Sequence, residues 1–352
     1  MLLRTEGIGN RRFDCVYFGG GTPSDFSAKN LETILTVVRE FQLSADCEIT
    51  LEGRVSSLQN DKIAVCRNFG VNRYSLGVQS FNTGLRRAMG RISTRKEVIA
   101  ALQNLRKTAD AAVVIDQIYG LPGQNMNMWL EDLDTLFDEC PVSGVDHYPL
   151  IQMPGTPLDH AVMAGALATP PDARLRADMF NTALDRMKDH DVHRASLKHF
   201  AFSPQERNRY NRLQAYGGCC VPAGCGGGGN IGGYFFYQAG SLENYFQAID
   251  LGKKPLTLVS EVSDEERFLN TLSGEILTRC GFSLSTLQRH FQLSLDLEQC
   301  LHPLLKQYDE SGLLSVDNNG SVFLTRAGQF WNNAIFQNLK KLYLTTVKQE
   351  KK

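Results

Sequence analysis

Short apolar runs alternate with helix-like segments over the first 150 residues of the chain. Five apolar runs are predicted as strands: 13–18, 47–51, 71–78, 111–118 and 144–150. Four intervening segments carry apolar side chains at helical spacing: 30–41, 56–69, 93–107 and 128–137. Thr94 and Glu97 form a capping-box pattern at the start of the third helix. Strands that alternate with helices indicate βαβ units and a mainly parallel sheet.

Polar residues or glycines lie at the carboxyl ends of all five predicted strands. They are residues 19–22, Glu52, Gln79, Asp116 and Tyr148. In barrels and in open α/β sheets, ligands bind beyond the carboxyl ends of the parallel strands. Because the pattern repeats over successive strands, the sequence predicts a ligand site at this end of the sheet.

The pattern changes after residue 160. A helix is predicted over 172–188 and a strand over 195–202, followed by a stretch rich in glycine and cysteine at 216–237. Four further segments have helical spacing: 264–278, 283–291, 297–311 and 329–345. Two short strands, 313–316 and 322–324, flank a hairpin turn at 317–320. Helices with such a β-wing are typical of winged-helix domains. We therefore predict three domains: 1–160, 161–254 and 255–352.

Composition narrows the class of protein. The 352 residues include 37 Lys and Arg and 38 Asp and Glu, which gives a net charge of −1. The predicted winged-helix segment has no stripe of basic residues. Nucleic-acid binding is therefore not expected, because it usually needs a surplus of positive charge. A hydrophobic content of 42% and a charged content of 21% are typical of globular proteins. No apolar run approaches the ~20 residues of a membrane-spanning helix, and the N-terminus does not have the pattern of a signal peptide. Nine cysteines without an export signal indicate reduced thiols and a cytoplasmic location.

The strand-end residues suit a ligand that carries an amino acid group and a ribose. The three consecutive glycines at 19–21 let a backbone approach a ligand closely, although they also suit a simple tight turn. Glu52 can pair with an ammonium group, and Gln79 offers a neutral donor and acceptor. Asp116 interrupts an apolar strand, so it needs either a ligand or a structural partner. Arg91 can pair with a carboxylate.

Four motifs together resemble one family. YFGGGTPS at 17–24, GVQSF at 77–81, MGR at 89–91 and DQIYGLPG at 116–123 closely resemble the oxygen-independent coproporphyrinogen III oxidase-like (HemN-like) family of radical S-adenosylmethionine (SAM) enzymes. The resemblance extends from about residue 12 to the C-terminal domain. It implies an α/β fold: an incomplete TIM-like barrel of parallel strands, a β extension and a C-terminal winged-helix-like domain.

The resemblance also implies roles for the strand-end residues. It assigns the SAM amino group to Gly20, Gly21 and Thr22, and the SAM carboxylate to Arg91. It assigns the ribose to Gln79 and Asp116. Glu52 lines the adjacent pocket.

A glycine-rich segment at 224–234, preceded by ERNRYN at 206–211, resembles the haem-utilisation branch of the family, the anaerobilin synthase type. That resemblance implies a methyltransferase that opens haem anaerobically to a linear tetrapyrrole and releases iron. The candidates on the substrate side are Gly226, Gly228, Gly229, Asn230 and Tyr234. The aromatic run 234–237 either packs on the tetrapyrrole plane or belongs to an ordinary core. His147 and His199 are either haem iron ligands or structural residues.

The family holds a [4Fe–4S] cluster with a C-x3-C-x2-C loop, and this sequence contains no such spacing. Cys219, Cys220 and Cys225 form C-C-x4-C, which does not match, and we expect no metal ligand among the nine cysteines. Either the reading frame begins at an internal methionine or the chain genuinely lacks the first βα unit. In the second case, we expect this chain not to cleave SAM reductively.

Three functions remain open at this point. The first is the haem-opening radical SAM methyltransferase, inactive as this chain alone. The second is a coproporphyrinogen III dehydrogenase, and the third is a haem-binding or chaperone protein without redox chemistry. The expected partners are haem or a related tetrapyrrole, and a reductant such as flavodoxin or ferredoxin.

Overall fold

The structure, a computed structural model, describes the backbone of residues 11–350 and the side chains of residues 11–349. The chain divides into two compact units, Met1–Tyr210 and Asn211–Lys352. Each unit has its own sheet or sheets and its own buried residues.

The first unit alternates strands and helices as the sequence predicts. Its strands are β1 (Phe13–Phe18), β2 (Leu43–Gly53), β3 (Arg73–Gln79), β4 (Ala112–Tyr119), β5 (Gly144–Pro149), β6 (His193–Arg194) and β7 (His199–Ala201). Its helices are α1 (Ala28–Val38), α2 (Asn60–Asn68), α3 (Thr83–Ala88), α4 (Arg95–Thr108), α5 (Met126–Glu139), α6 (Pro157–Met163) and α7 (Ala173–Asp189). Helix α8 (Arg209–Ala215) continues into the second unit.

The seven strands form one sheet in the order β1-β2-β3-β4-β5-β7-β6. Neighbouring strands from β1 to β5 are parallel, and the pairs β5–β7 and β6–β7 are antiparallel. The prediction of an α/β fold with a mainly parallel sheet is therefore confirmed. The predicted capping box is also present, since Thr94 accepts a hydrogen bond from the Glu97 amide and Glu97 accepts one from the Thr94 amide.

The two faces of this sheet differ in polarity. On the face covered by helices, Trp129 of α5 packs edge-on against His147, and Gln117 reaches the backbone of α5. The opposite face, called the polar face below, is rich in charged and hydroxyl groups. Its polar side chains are Tyr17, Glu48, Glu52, Arg73, Asp116, Asp146, Tyr148 and His199. Most of the charged side chains of the strands therefore lie on one face of the sheet, because successive residues of a strand point to opposite faces.

The second unit contains two three-stranded antiparallel sheets. The first sheet, in the order β10-β9-β8, comprises β8 (Gly228–Ile231), β9 (Tyr234–Gln238) and β10 (Leu256–Glu261), with α9 (Leu242–Asp250) between β9 and β10. The second, in the order β11-β13-β12, comprises β11 (Gly281–Ser283), β12 (Leu314–Val316) and β13 (Ser321–Leu324).

Helices surround the second of these sheets. They are α10 (Asp264–Arg279), α11 (Leu284–Phe291), α12 (Leu297–Glu310), α13 (Arg326–Phe330) and α14 (Asn332–Glu350). The order helix, strand, helix, helix and β-hairpin is that of a winged helix, as predicted. The hairpin turn is held by the Asp317 side chain, which accepts hydrogen bonds from the amides of Asn319 and Ser321 at 2.8 Å.

Candidate functional site

The glycine turn after β1 lies against β2. A Cβ atom at Gly19 would come within 2.8 Å of the Tyr17 ring and within 3.0 Å of Glu52 Oε2, so only glycine fits there. Gly20 has a φ of +82°, and neither Gly20 nor Gly21 has an atom within 4 Å of the place where a Cβ would be. The turn is therefore tight on its Gly19 side and open over Gly20 and Gly21.

The residues after the glycines anchor this turn to the end of β2. Thr22 precedes a short 3₁₀ turn, and its side chain makes no capping hydrogen bond there. Ser24 is fully buried, and its hydroxyl accepts a hydrogen bond from the Arg54 amide at 3.0 Å. Lys62 of α2 donates to the Ser24 carbonyl at 2.7 Å. The position of the glycines is thus set by contacts on their C-terminal side.

Glu52 is held by a tyrosine pair. The Tyr17 hydroxyl donates to Glu52 Oε1 at 2.6 Å, and the Tyr17 ring stacks on Tyr210 with the ring centroids 4.3 Å apart. Burial, together with the hydrogen bond to Glu52, raises the pKa of Tyr17, so the phenol stays protonated and donates. Tyr210 therefore contacts the ring that positions the Glu52 carboxylate beside the glycine turn.

Gln79, Gly77 and Arg91 form a second cluster at the end of β3. Gln79 has a φ of +70°, and its Oε1 is buried with no hydrogen-bond partner among the described residues. A Cβ at Gly77 would lie 2.7 Å from Gln79 Nε2 and 3.4 Å from Arg91 Nη2. Burial and, after it, the positive charge of Arg54 lower the pKa of Arg91. The negative charge of Asp116 raises it, but by less.

Asp116 is directly opposite Gly77 of β3 and Asp146 of β5. Burial, and after it the charges of Asp146 and Glu52, raise the pKa of Asp116 to about 7. The structure thus brings together the predicted residues Glu52, Gln79, Arg91 and Asp116, close to the glycine turn. A carboxyl group that titrates near neutral pH is typical of functional sites.

A buried chain of charges extends from Asp146 across the polar face. His199 Nδ1 lies 3.1 Å from Asp146 Oδ1, and His199 Nε2 lies 3.2 Å from Glu206 Oε1. Arg73 Nε donates to both oxygens of Glu206 at 3.0 Å. Burial alone would lower the pKa of His199, but the hydrogen bonds to Asp146 and Glu206 outweigh it and raise the pKa to about 9. Burial alone would raise the pKa of Glu206, but His199 and Arg73 lower it. This part of the polar face therefore carries full charges.

The two histidines considered as iron ligands are both inside the first unit. His147 lies on the helix-covered face, where its Nε2 is 3.0 Å from Gln117 Oε1, and burial lowers its pKa to about 3. His199 is engaged by two carboxylates, and its side chain is 1% exposed. Structural contacts account for both side chains in this arrangement.

The glycine-rich segment of the second unit is packed tightly on one side. A Cβ at Gly229 would lie 2.4 Å from the Cys220 carbonyl oxygen, and a Cβ at Gly228 would lie 2.7 Å from the Tyr237 ring. Asn230 binds the preceding loop, because its Oδ1 accepts from the Cys220 amide and its Nδ2 donates to the Gly217 carbonyl, both at 2.9 Å. Local packing therefore accounts for Gly228, Gly229 and Asn230.

Gly226 and Tyr234 are more open. Gly226 has a φ of +73° and is exposed, with no atom within 4 Å of a Cβ position. Tyr234 is 49% exposed. Successive residues of a strand point to opposite faces, so Tyr234 and Phe236 lie on one face of the sheet, and Phe235 and Tyr237 lie on the other. The four aromatic residues therefore cannot all contact one face of a planar ligand.

Comparisons with known proteins show the family of this chain. Residues 4–136 match the profile of the Radical SAM superfamily. The chain is 38% identical over 329 residues to anaerobilin synthase of Escherichia coli O157:H7, covering 93% of this chain and 72% of that protein. The chain belongs to the HemN-like family of radical SAM proteins. It is also 27% identical over 328 residues to the heme chaperone HemW of Bacillus subtilis (strain 168), covering 91% of this chain and 84% of that protein.

A solved structure supports the fold of this HemN-like protein. Coproporphyrinogen III oxidase (HemN) of Escherichia coli, a radical SAM enzyme, superimposes with a TM-score of 0.80 at 20% sequence identity, covering 95% of this chain and 78% of that one. The likeness extends over nearly the whole chain and so includes both units.

Membership of the family implies SAM and a [4Fe–4S] cluster, and the residues present fit SAM. Gln79 Oε1 is a buried acceptor with no partner among the described residues, which a hydroxyl donor would satisfy. The space over Gly20 and Gly21 is free of side chains. Arg91 forms no ion pair with the described residues, which leaves a cation for a carboxylate.

The described residues do not fit the cluster. Within residues 11–350, no group of three His, Cys, Asp or Glu side chains comes together as a metal-ligand set. Burial raises the pKa of Cys15, Cys47 and Cys66 to about 11, and none of the three belongs to such a group. We therefore derive no chemical step through a cluster.

Three residues important to the site escaped the sequence-based prediction. Arg73 and Glu206 are 133 residues apart in the chain, and Tyr210 meets Tyr17 only in the folded sheet. The one signal for them in the sequence is the string ERNRYN at 206–211, which the family resemblance singles out without giving it a structural role. In the described part of the chain, no helix combines the length and apolarity needed to cross a bilayer.

Proposed function

We propose that this HemN-like protein binds SAM on its first unit and acts in anaerobic haem degradation as a radical SAM methyltransferase of the anaerobilin synthase type. The reaction would open haem to a linear tetrapyrrole with release of iron, in the cytoplasm, with electrons from a donor such as flavodoxin or ferredoxin. The 38% identity to anaerobilin synthase over 93% of the chain carries this choice of reaction.

The residues of the first unit would hold SAM by its polar ends. Gly20, Gly21 and Thr22 would offer backbone and hydroxyl groups to the amino group, and Arg91 would pair with the carboxylate. Gln79 and Asp116 would bind the ribose hydroxyls. SAM would supply the methyl group and the radical. The protein would orient SAM and exclude water from it.

Glu52 would complete this site at the glycine turn. Its carboxylate is already fixed by Tyr17, and a Cβ at Gly19 would lie 3.0 Å from its Oε2. A carboxylate held in advance does not lose side-chain entropy when an ammonium group arrives. We therefore place Glu52 on the side of the pocket that receives the amino group.

Equilibrium dialysis of the intact chain with SAM tests the first half of this proposal. We expect Gln79→Ala to weaken SAM binding by about tenfold, since one hydrogen bond is worth ~1 kcal/mol and the pocket loses its shape. The matched control is Gln103→Ala, an exposed glutamine on α4. Equal SAM affinity of the two variants would contradict the assignment of the pocket.

Product analysis tests the second half. The chain would be joined behind a segment that carries a C-x3-C-x2-C loop, reconstituted without oxygen, and given haem, SAM and a reductant. We expect mass spectrometry to show a methylated linear tetrapyrrole and free iron. The control has the three loop cysteines replaced by alanine. Conversion of coproporphyrinogen III to protoporphyrinogen, with haem untouched, would instead support the dehydrogenase function.

A second candidate is haem binding without redox chemistry. Two observations favour it: the described residues have no cluster ligands, and the similarity to heme chaperone HemW covers 91% of the chain. In that case the intact chain would bind haem and pass it to an acceptor protein, and it would yield no methylated product even when the cluster loop is supplied. The product experiment therefore separates the two functions.

A further inference from the structure

We propose that one face of the sheet β10-β9-β8 is the docking surface for the flat ring of a tetrapyrrole. This face, called the aromatic face below, includes Gly228, Phe235, Tyr237 and Leu258, with Asn230 and Ser260 on either side of Phe235. The inference rests on the proposed function for the identity of the ligand, whereas the choice of face rests on the sheet itself.

Register places these four residues on one side of the sheet. Tyr237 of β9 lies directly opposite Gly228 of β8 and Leu258 of β10, and directly opposed residues of antiparallel strands point to the same face. Phe235 lies two residues away on β9, and its ring meets the Tyr237 ring edge-on at 4.8 Å. The result is an aromatic and apolar surface.

Gly228 keeps this surface flat. The Tyr237 ring leans across Gly228, where any side chain would collide with it at 2.7 Å. Tyr237 and Leu258 are nevertheless 45% and 47% exposed, so the described residues do not cover the surface. An exposed apolar patch of this kind marks a binding site more often than scattered single residues do.

The opposite face is closed at the same strand. The Cys220 carbonyl and the Pro222 ring lie over Gly229, each 2.4 Å from where its Cβ would be. Tyr234 and Val259 are exposed on that side, at 49% and 57%, but the loop before β8 blocks a flat ligand from spreading over β8. A flat ligand can therefore reach β8 from the aromatic face but not from the opposite face.

Two lysines before β10 suit the carboxylates of a tetrapyrrole. Lys253 and Lys254 are both exposed, form no ion pair with the described residues, and precede β10 at the end where Leu256 is opposite Gln238. The other end of β10 carries Glu261, opposite Tyr234. Tetrapyrrole propionates would therefore lie toward the lysines, with the ring on Tyr237.

Titration of the intact chain with metal-free protoporphyrin IX, followed by porphyrin absorbance and fluorescence, tests the surface without iron ligation. We expect Tyr237→Ala to weaken binding by about tenfold, because an aromatic contact is worth on the order of 1 kcal/mol and the buried area is lost as well. Tyr234→Ala is the matched control, with the same residue type, strand and exposure but the opposite face, and we expect no change.

The carboxylate contact has its own test. We expect the double variant Lys253→Glu with Lys254→Glu to weaken protoporphyrin binding several-fold and to leave binding of the dimethyl ester unchanged. Circular dichroism shows whether each variant is folded. Tyr237→Trp keeps a large ring, so we expect it to bind protoporphyrin although Tyr237→Ala does not bind it well.

Three results would overturn the inference. Equal loss of binding in Tyr234→Ala and Tyr237→Ala would remove the choice of face. The absence of porphyrin binding by the unaltered chain would remove the site. Sedimentation showing a dimer that only Tyr237→Ala dissociates would assign the surface to a second copy. SAM affinity and the haem product are measured in separate experiments. A wrong choice of face leaves both intact, whereas failure of the proposed function removes the methylated product whichever face binds the ring.

Discussion

Glu206→Gln tests the buried charge chain of the first unit. In the native chain, Glu206 accepts both hydrogen bonds from Arg73 Nε and lies 3.2 Å from His199, and the side chains of Glu206, Arg73 and His199 are 0%, 2% and 1% exposed. Replacing the carboxylate by an amide keeps the shape of the side chain. It leaves a guanidinium and a charged imidazole without their shared counter-charge.

We expect Glu206→Gln to lower the free energy of unfolding by a large amount for so small a chemical change. Removing one partner of a buried ion pair costs about 3–5 kcal/mol, because the remaining charge is left uncompensated away from water. Whole domains are stable by only about 5–15 kcal/mol. We therefore expect Glu206→Gln to remove a large fraction of the stability of the first unit, while the second unit unfolds as before.

Tryptophan fluorescence during urea unfolding measures this effect in one unit. The chain has two tryptophans: Trp129, fully buried in the first unit, and Trp331 in the second. In a Trp331→Phe background, the signal comes from Trp129, which packs against His147 and donates to the Met179 carbonyl at 2.8 Å. The urea midpoint and slope then give the free energy of unfolding.

Glu139→Gln is the control. Glu139 pairs with Arg95 at the surface, where the two side chains are 41% and 45% exposed, so its removal is worth at most about 1 kcal/mol. If Glu206→Gln and Glu139→Gln lower the free energy of unfolding equally, the buried chain does not behave as a set of charges, and the reasoning is refuted.

Three other predictions concern pH, the tyrosine pair and the glycine-rich strand. The pKa of Asp116 is raised to about 7 in the folded chain, above its value of about 4 in the unfolded chain, so the free energy of unfolding falls as pH rises from about 4 to 7. Asp116→Asn does not ionise, so urea titrations at several pH values should show it becoming more stable relative to the native chain across that window. Tyr17→Phe, which keeps the stack on Tyr210 but loses the 2.6 Å hydrogen bond to Glu52, should weaken SAM binding in dialysis by roughly tenfold, and unchanged affinity would contradict the positioning role. Gly229→Ala should destabilise the second unit by about 1–3 kcal/mol, read from Trp331 in a Trp129→Phe background, because its Cβ would lie 2.4 Å from a carbonyl oxygen.

The sequence alone predicts most of the strands and helices of the first unit. The strand predicted over 13–18 matches β1 residue for residue, and the other four predicted strands overlap β2 to β5. Strands between amphipathic helices leave a strong period in the sequence, and parallel pairing follows from the right-handed βαβ connection. Motif residues at the carboxyl ends of the strands then predict where the ligand site lies.

The rest depends on contacts between distant residues. Glu206 begins the ERNRYN string, but nothing in that string indicates its partner, and only folding brings it to Arg73. The raised pKa of Asp116 follows from its burial and, after that, from carboxylates on two other strands. In the glycine-rich segment, composition alone could not separate glycines required by packing, such as Gly229, from an open one such as Gly226.

The alternation of faces in the parallel sheet also constrains how the chain can misfold. If β3 paired with its neighbours one residue out of step, Arg73 would turn toward the helices and Tyr74 toward the charged side. An unpaired guanidinium beneath a helix costs several kcal/mol, so such a register would be strongly disfavoured. We therefore expect the charges of the polar face to select one alignment of the strands during folding, even where they add little net stability to the final state.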